Sequence, residues 1–209
     1  MSGIMLSFVG GASGGPIIGA AYQGGFFAGQ ISTAGNGIAD YNLVVGPKSS
    51  AQSVSKKWKT TNTTTAGTSS VIDGPGNSSI MNNASHPAAE YCEGLSVGGF
   101  SDWYLPAKNE LEVVYYNLKP SGTGNNTSSG TNTNAVPSRG SNYTSGTPSQ
   151  TSASDFQAGG TNAFSTVAYW SSTEGSVTLG QVQNFTNGNQ YNTYKNYDNY
   201  VRAVRRVAV

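Results

Sequence analysis

The chain reads as an α+β domain, on three observations. Its aromatic and β-branched runs are short and bounded by Gly, Asn or Pro, the pattern of strands and tight turns. Two stretches, 85–92 and 106–118, carry helix signals instead. The order is hairpin, helices, long loops and then several strands, with no regular alternation of strand and helix.

Residues 1–21 read as an arm. Apolar pieces at 4–9 and 16–18 flank a Gly/Ser spacer, too little to bury against itself and suited to docking on a partner. Residues 22–209 read as one domain. Within it, Gly24–Ile31 and Tyr41–Val45 form an expected hairpin, with Gly35-Asn36-Gly37 as a turn and Pro47 as its stop. Residues 48–83 are mostly polar, with Trp58 and Val71-Ile72 as anchors and a turn expected at Asp73-Gly74-Pro75-Gly76. The first helix starts at Ser85 and Pro87, and Gly94 ends it. In the second, Leu111, Val114, Tyr115 and Leu118 repeat at helical spacing between Pro106 and Pro120. Residues 121–162 are Ser/Thr/Gly/Asn-rich, too long for a structureless loop inside a compact domain. They read as a surface insertion or as loops pinned by Val136, Tyr143 and Phe156. Strands are expected at 168–171, 181–187 and 200–207.

Composition excludes several function classes. Of 209 residues only 10% are charged, against ~25% in an average domain. The net charge of +1 gives no electrostatic case for nucleic acid. Lys56, Lys57 and Lys59 read as a solvated cluster. One cysteine, Cys92, allows no internal disulfide, and the one histidine, His86, falls on the same short helix. These counts leave no His/Cys metal cluster; calcium on oxygen ligands stays open. Glu110 and Glu112 lie two apart on a helix and point different ways, unlike a glycosidase pair. No enzyme activity and no cofactor are therefore expected. The N-terminus lacks basic residues before its apolar ones, and Gly and Ser interrupt every candidate span. The expectation is a protein made in the cytoplasm without a signal and not inserted in a membrane.

Two stretches carry a family resemblance. Gly98-Gly99-Phe100-Ser101-Asp102-Trp103-Tyr104-Leu105-Pro106-Ala107-Lys108-Asn109-Glu110-Leu111 resembles the motif G-(Y/F)-x-D-W-R-L-P-(T/S)-x-x-E-L. Tyr169-Trp170-Ser171-Ser172-Thr173-Glu174, followed by Tyr200-Val201-Arg202-Ala203-Val204-Arg205, resembles Y-W-S-S-T-E … V-R-A-V-R. Together, over roughly 24–209, they resemble the family of C-terminal domains of collagen-like bacterial adhesins (Lcl). The departures are Tyr104 in place of Arg and the expanded insertion. The resemblance implies a C-type-lectin-like fold of the formylglycine-generating-enzyme type, with a binding face on a stable scaffold. That enzyme's cysteine chemistry is not implied, because Cys92 is alone and misplaced. The chain is also similar to short proteins encoded among phage structural genes. This similarity implies a virion-surface protein: a fibre-borne host-recognition domain, a decoration or cement protein of the capsid or tail, or else a bacterial surface adhesin. The partners implied are other virion proteins through the arm, further copies in a homo-oligomer, and a host surface protein or glycan.

Trp103 and Trp170 read as core anchors, and Glu174 as an internal partner for the terminal arginines. The candidate binding residues lie in 184–200, where Asn and Tyr alternate without a period of 2 or 3.6. They are Asn189, Tyr191, Tyr194, Asn196, Tyr197 and Asn199. Tyrosine gives contact area at low entropy cost, and asparagine gives adaptable hydrogen bonding.

Overall fold

The computed structural model describes residues 15–209; expectations for 1–14 lie outside the described residues. The aromatic run after Gly24 forms β2 (Gly25–Ile31), which turns back through 35–37 into β3 (Tyr41–Val45). Short β1 (Ala21–Tyr22) pairs with the start of β2. Gly19 N–H bonds the Phe27 carbonyl and Phe27 N–H bonds that of Ala20, while Ile18 packs on the core. The arm boundary expected after Ala21 therefore falls inside a hairpin.

A single helical turn, α1 (Lys48–Ala51), leads into β4 (Gln52–Lys57). The stretch read as a turn at 73–76 instead opens helix α2 (Gly74–Ile80): Asp73 accepts from Gly76 N–H at 3.1 Å, and a proline occupies the first turn. Cap and turn draw on the same residue types. Helix α3 (Pro87–Glu93) ends at Gly94 as expected. Helix α4 (Lys108–Leu118) starts two residues after Pro106, whose carbonyl accepts from Ser172 N–H at 2.8 Å and stays extended. Close approach of α4 to β2 requires Gly29, at φ +127° on a bulge; a Cβ there would meet the Asn117 amide at 2.3 Å.

In the insertion, β5 (Ala135–Val136) pairs with β2, and a 3-10 turn (Ser154–Phe156) buries Phe156. Tyr143 is buried too, so the loops are pinned. The final strands are β6 (Ala168–Glu174), β7 (Leu179–Asn184), β8 (Gln190–Tyr194), β9 (Asp198–Arg202) and β10 (Val204–Ala208). Among the described residues they complete two sheets of five strands. One has the order β1-β2-β3-β10 with β5 beside β2; the other runs β4-β9-β6-β7-β8. The expected strand 200–207 is therefore two strands in different sheets. They join at Ala203, whose N–H and carbonyl bond Ala51 and Gly46.

Alternation along the second sheet feeds two cores. Tyr169 and Phe185 face α4, with Leu111, Tyr115 and Phe164. Trp170, Val182 and Val201 face the other side, with Trp58, Trp103 and Cys92. All three indoles are buried and their N–H groups donate to carbonyls: Trp58 to Ser171 (2.9 Å), Trp103 to Phe100 (3.1 Å) and Trp170 to Lys56 (2.8 Å).

The terminal arginines do not meet Glu174. Arg205 pairs with Asp102 at 2.6 Å and Arg206 with Glu110 at 2.7 Å. Glu174 sits in the other sheet, opposite Gly180 on β7, and pairs with Lys195. Arg202 is buried and donates to the Gly46 and Asn162 carbonyls and to Gln52, tying the end of the insertion to the sheet. Burial lowers its pKa to about 10.

Trp103→Ala or Trp170→Ala should each cost about 3–5 kcal/mol, seen as a lower denaturant midpoint at unchanged slope. An unchanged midpoint would contradict the core placement. A chain starting at Tyr22 should melt several degrees below one starting at Gly15, because it lacks the Ile18 packing and the Gly19 and Ala20 backbone bonds. Equal melting temperatures would put those residues outside the cooperative unit.

Candidate functional site

The Asn/Tyr-rich stretch 184–200 is not irregular. It holds the end of β7, all of β8 and the start of β9. Strand β8 pairs along its length with β7, with Tyr191 opposite Val182 and Tyr194 opposite Leu179, and forms an edge of its sheet. Alternation was hidden because a strand, a loop and a second strand follow within eleven residues, so no single period spans them.

Tyr191, Tyr194 and Tyr197 are 38%, 48% and 54% exposed, the exposed aromatic residues among those described. Tyr194 and Tyr197 meet edge to face, centroids 5.4 Å apart, across a turn closed by Tyr197 N–H on the Tyr194 carbonyl at 3.0 Å. Asn196 lies in that turn, its N–H on Asn62 Oδ1 at 3.2 Å. Tyr191 is an odd number of residues from Tyr194 and so leaves the opposite face of the strand. Asn189 sits beyond the other end of β8, about 17 Å from Tyr194 along the strand. There it accepts from the Ser129 hydroxyl of the insertion at 3.4 Å. Asn199 belongs to β9, three strands from β8, opposite Lys56 of β4. The structure thus gathers Tyr194, Asn196 and Tyr197 with Tyr191 nearby, and sets Asn189 and Asn199 apart.

A residue absent from the sequence-based set holds this surface in place. Lys195 follows Tyr194 in the chain and is buried. Its ammonium donates to the Thr63 and Val177 carbonyls at 2.9 Å, pairs with Glu174 and lies 4.7 Å over the Trp58 ring. Burial lowers its pKa despite that pairing. The sequence signal was weak: one lysine among exposed polar residues looks solvated. Lys59 donates to the Thr63 and Thr64 carbonyls, so the expected lysine cluster splits between structural and surface roles. His86 stands behind the same loop, with Nε2 on Thr65 Oγ1 at 2.8 Å and Nδ1 on Asn83 Oδ1 at 2.9 Å.

The groups with nucleophilic or acid–base potential are committed elsewhere. Cys92 is buried and its thiol pKa is pushed up, first by desolvation. Glu110 and Glu112 are buried, each with its own arginine. Desolvation raises both carboxyls against the pull of those arginines. No cluster of three or more His, Cys, Asp or Glu suited to a metal occurs among the described residues. No described helix is long and apolar enough to cross a membrane.

Desolvation, followed by the charges of Lys59 and Lys195, lowers the His86 pKa from 6.5 to about 4. The folded state therefore binds fewer protons than the unfolded state between those values, so the His86 contribution to stability is lost as pH falls from 6.5 through 4. The melting temperature should drop across that window by more in the wild type than in His86→Gln, with all carboxylates common to both. Parallel curves would remove His86 as the cause.

The family model for the Lcl C-terminal domain matches residues 51–205. No curated protein matches the sequence. The match takes in the Asp102–Leu111 segment, β6 and its Glu174, and Arg202 and Arg205 of the final strands. Since it covers well over half of the 209 residues, the chain belongs to the Lcl C-terminal domain family.

Proposed function

We propose that this chain is a non-enzymatic surface-binding domain of C-type-lectin-like fold, carried on a bacteriophage fibre, and that Tyr191, Tyr194 and Tyr197 contact the host. One observation carries the reading: Tyr194 and Tyr197 stand exposed together at the end of an edge strand fixed by the Lys195–Glu174 pair, with Tyr191 exposed on the other face of that strand. Exposed aromatics on a rigid backbone bind with little ordering cost. Membership of a family related to collagen-like adhesins is compatible with surface binding. The resemblance of the sequence to short proteins encoded among phage structural genes favours a virion context.

A second reading is a decoration protein of the capsid or tail. It is favoured by β8 being an edge strand among the described residues, which offers backbone groups to a neighbouring subunit. Replacing Tyr191, Tyr194 and Tyr197 together by serine separates the two. Host recognition requires that melting temperature and incorporation into particles hold while adsorption to host cells falls at least tenfold. Normal adsorption by particles carrying the variant sinks that role; failed incorporation of a folded variant points to decoration.

A further inference from the structure

Beyond the tyrosine surface, the insertion forms a second concave feature. Two hollows, of about 360 and about 260 Å³, lie on either side of Tyr116 and share it and Thr147 as their dividing wall. They contain none of the residues proposed above for host contact. Asn117, Ser149 and Gln150 line the first; Arg139, Ser141 and Asn142 line the second.

The inner side of this loop is held by a network of buried hydrogen bonds. Asn125 Nδ2 lies 2.8–3.2 Å from the Thr144, Ser145 and Pro148 carbonyls, and its Oδ1 accepts from Tyr115 at 2.7 Å. Buried Lys119 holds the Thr123 and Pro148 carbonyls. Glu112 accepts from Tyr143 at 2.7 Å and Asn132 at 2.6 Å, and pairs with Arg139. Some outer side chains add to this: Gln150 donates to the Pro120 carbonyl at 2.8 Å, and Asn142 accepts from the Thr131 hydroxyl at 2.7 Å. Ser141, Thr147 and Ser149 are exposed, and their hydroxyls take no part in the bonds that pin the loop.

We infer that the two hollows are adjoining subsites for a neutral oligosaccharide, with Tyr116 as the aromatic wall between successive sugar rings. Their volumes fall near the small end of ligand sites, ~300–1,000 Å³, and their lining mixes hydroxyl and amide groups with aromatic faces, Tyr116 in both and Tyr143 in the second. That chemistry suits a ligand that is itself dense in hydroxyls. Arg139 is the one charged residue in either lining, and the buried Glu112 carboxylate already neutralises it. Its guanidinium also stacks on Tyr116, 4.0 Å from the centroid, which fixes the ring. A sulfated or carboxylated chain would find no free cation here.

The test uses the purified full chain and a panel of neutral hexose and N-acetylhexosamine oligosaccharides, with sulfated oligosaccharides as the anionic control. At least one neutral oligosaccharide should bind. Ser149→Trp, which fills the first hollow from an exposed position, should weaken it at least tenfold at unchanged melting temperature. Tyr116→Leu should weaken it similarly, and the triple tyrosine-to-serine variant should bind as the wild type does. The inference fails if no neutral oligosaccharide binds or if only the sulfated ones do. It also fails if binding survives Ser149→Trp or depends on the triple substitution. Because host adsorption is not measured, these outcomes are independent of the role proposed for the tyrosine surface.

Discussion

One buried carboxylate joins segments that are far apart in the sequence. Glu110 accepts from the Ala107 N–H at the start of α4 (2.8 Å), from the Tyr104 hydroxyl (2.6 Å) and from Arg206 Nε of β10 (2.7 Å). Arg206 continues to the Ile72 carbonyl and lies 5.0 Å over the Tyr41 ring of β3. Gly74 passes so close beneath that a Cβ would meet the carboxylate at 2.0 Å. Removing one partner from such a buried pair typically costs ~3–5 kcal/mol, because the other charge is left uncompensated. Tyr104 stands where the motif has arginine; here its hydroxyl and the Arg206 guanidinium share the Glu110 carboxylate.

The fold was legible in the sequence wherever one physical cause acted alone. Period and flanking prolines located α4; aromatic runs between glycines located β2 and β3. The elements missed were those whose residues answer to two causes. Asp73 and Pro75 serve a turn or a helix start equally well, and the helix won because Asn77 and Ser78 bury against neighbouring segments. Strand β4 is polar because it is an edge, bonded on one side to β9. In the binding stretch, residue type identified the exposed tyrosines. It could not separate Asn189 and Asn199 from them, because that separation is set by strand order.

A chain with so few charges uses more than half of its cations internally. Arg139, Lys195, Arg205 and Arg206 each meet a carboxylate, and Arg202 and Lys119 are satisfied by carbonyls. Much of the surface is left to hydroxyls, amides and tyrosines. The insertion loops are thus held mainly by buried groups, with exposed hydroxyls such as those of Ser141 and Ser149 outside that network.

The switch of sheets at Ala203 bears on synthesis. Strand β9 lies between β4 and β6, and β10 completes the row beside β3. Until residues 198–208 leave the ribosome, β4 has no neighbour in its sheet, and Glu110 and Asp102 lack their arginines. Closure depends on contacts between the chain's two halves, which are slow to form. A nascent chain thus holds both cores open until these last strands emerge, with apolar surface exposed in the meantime.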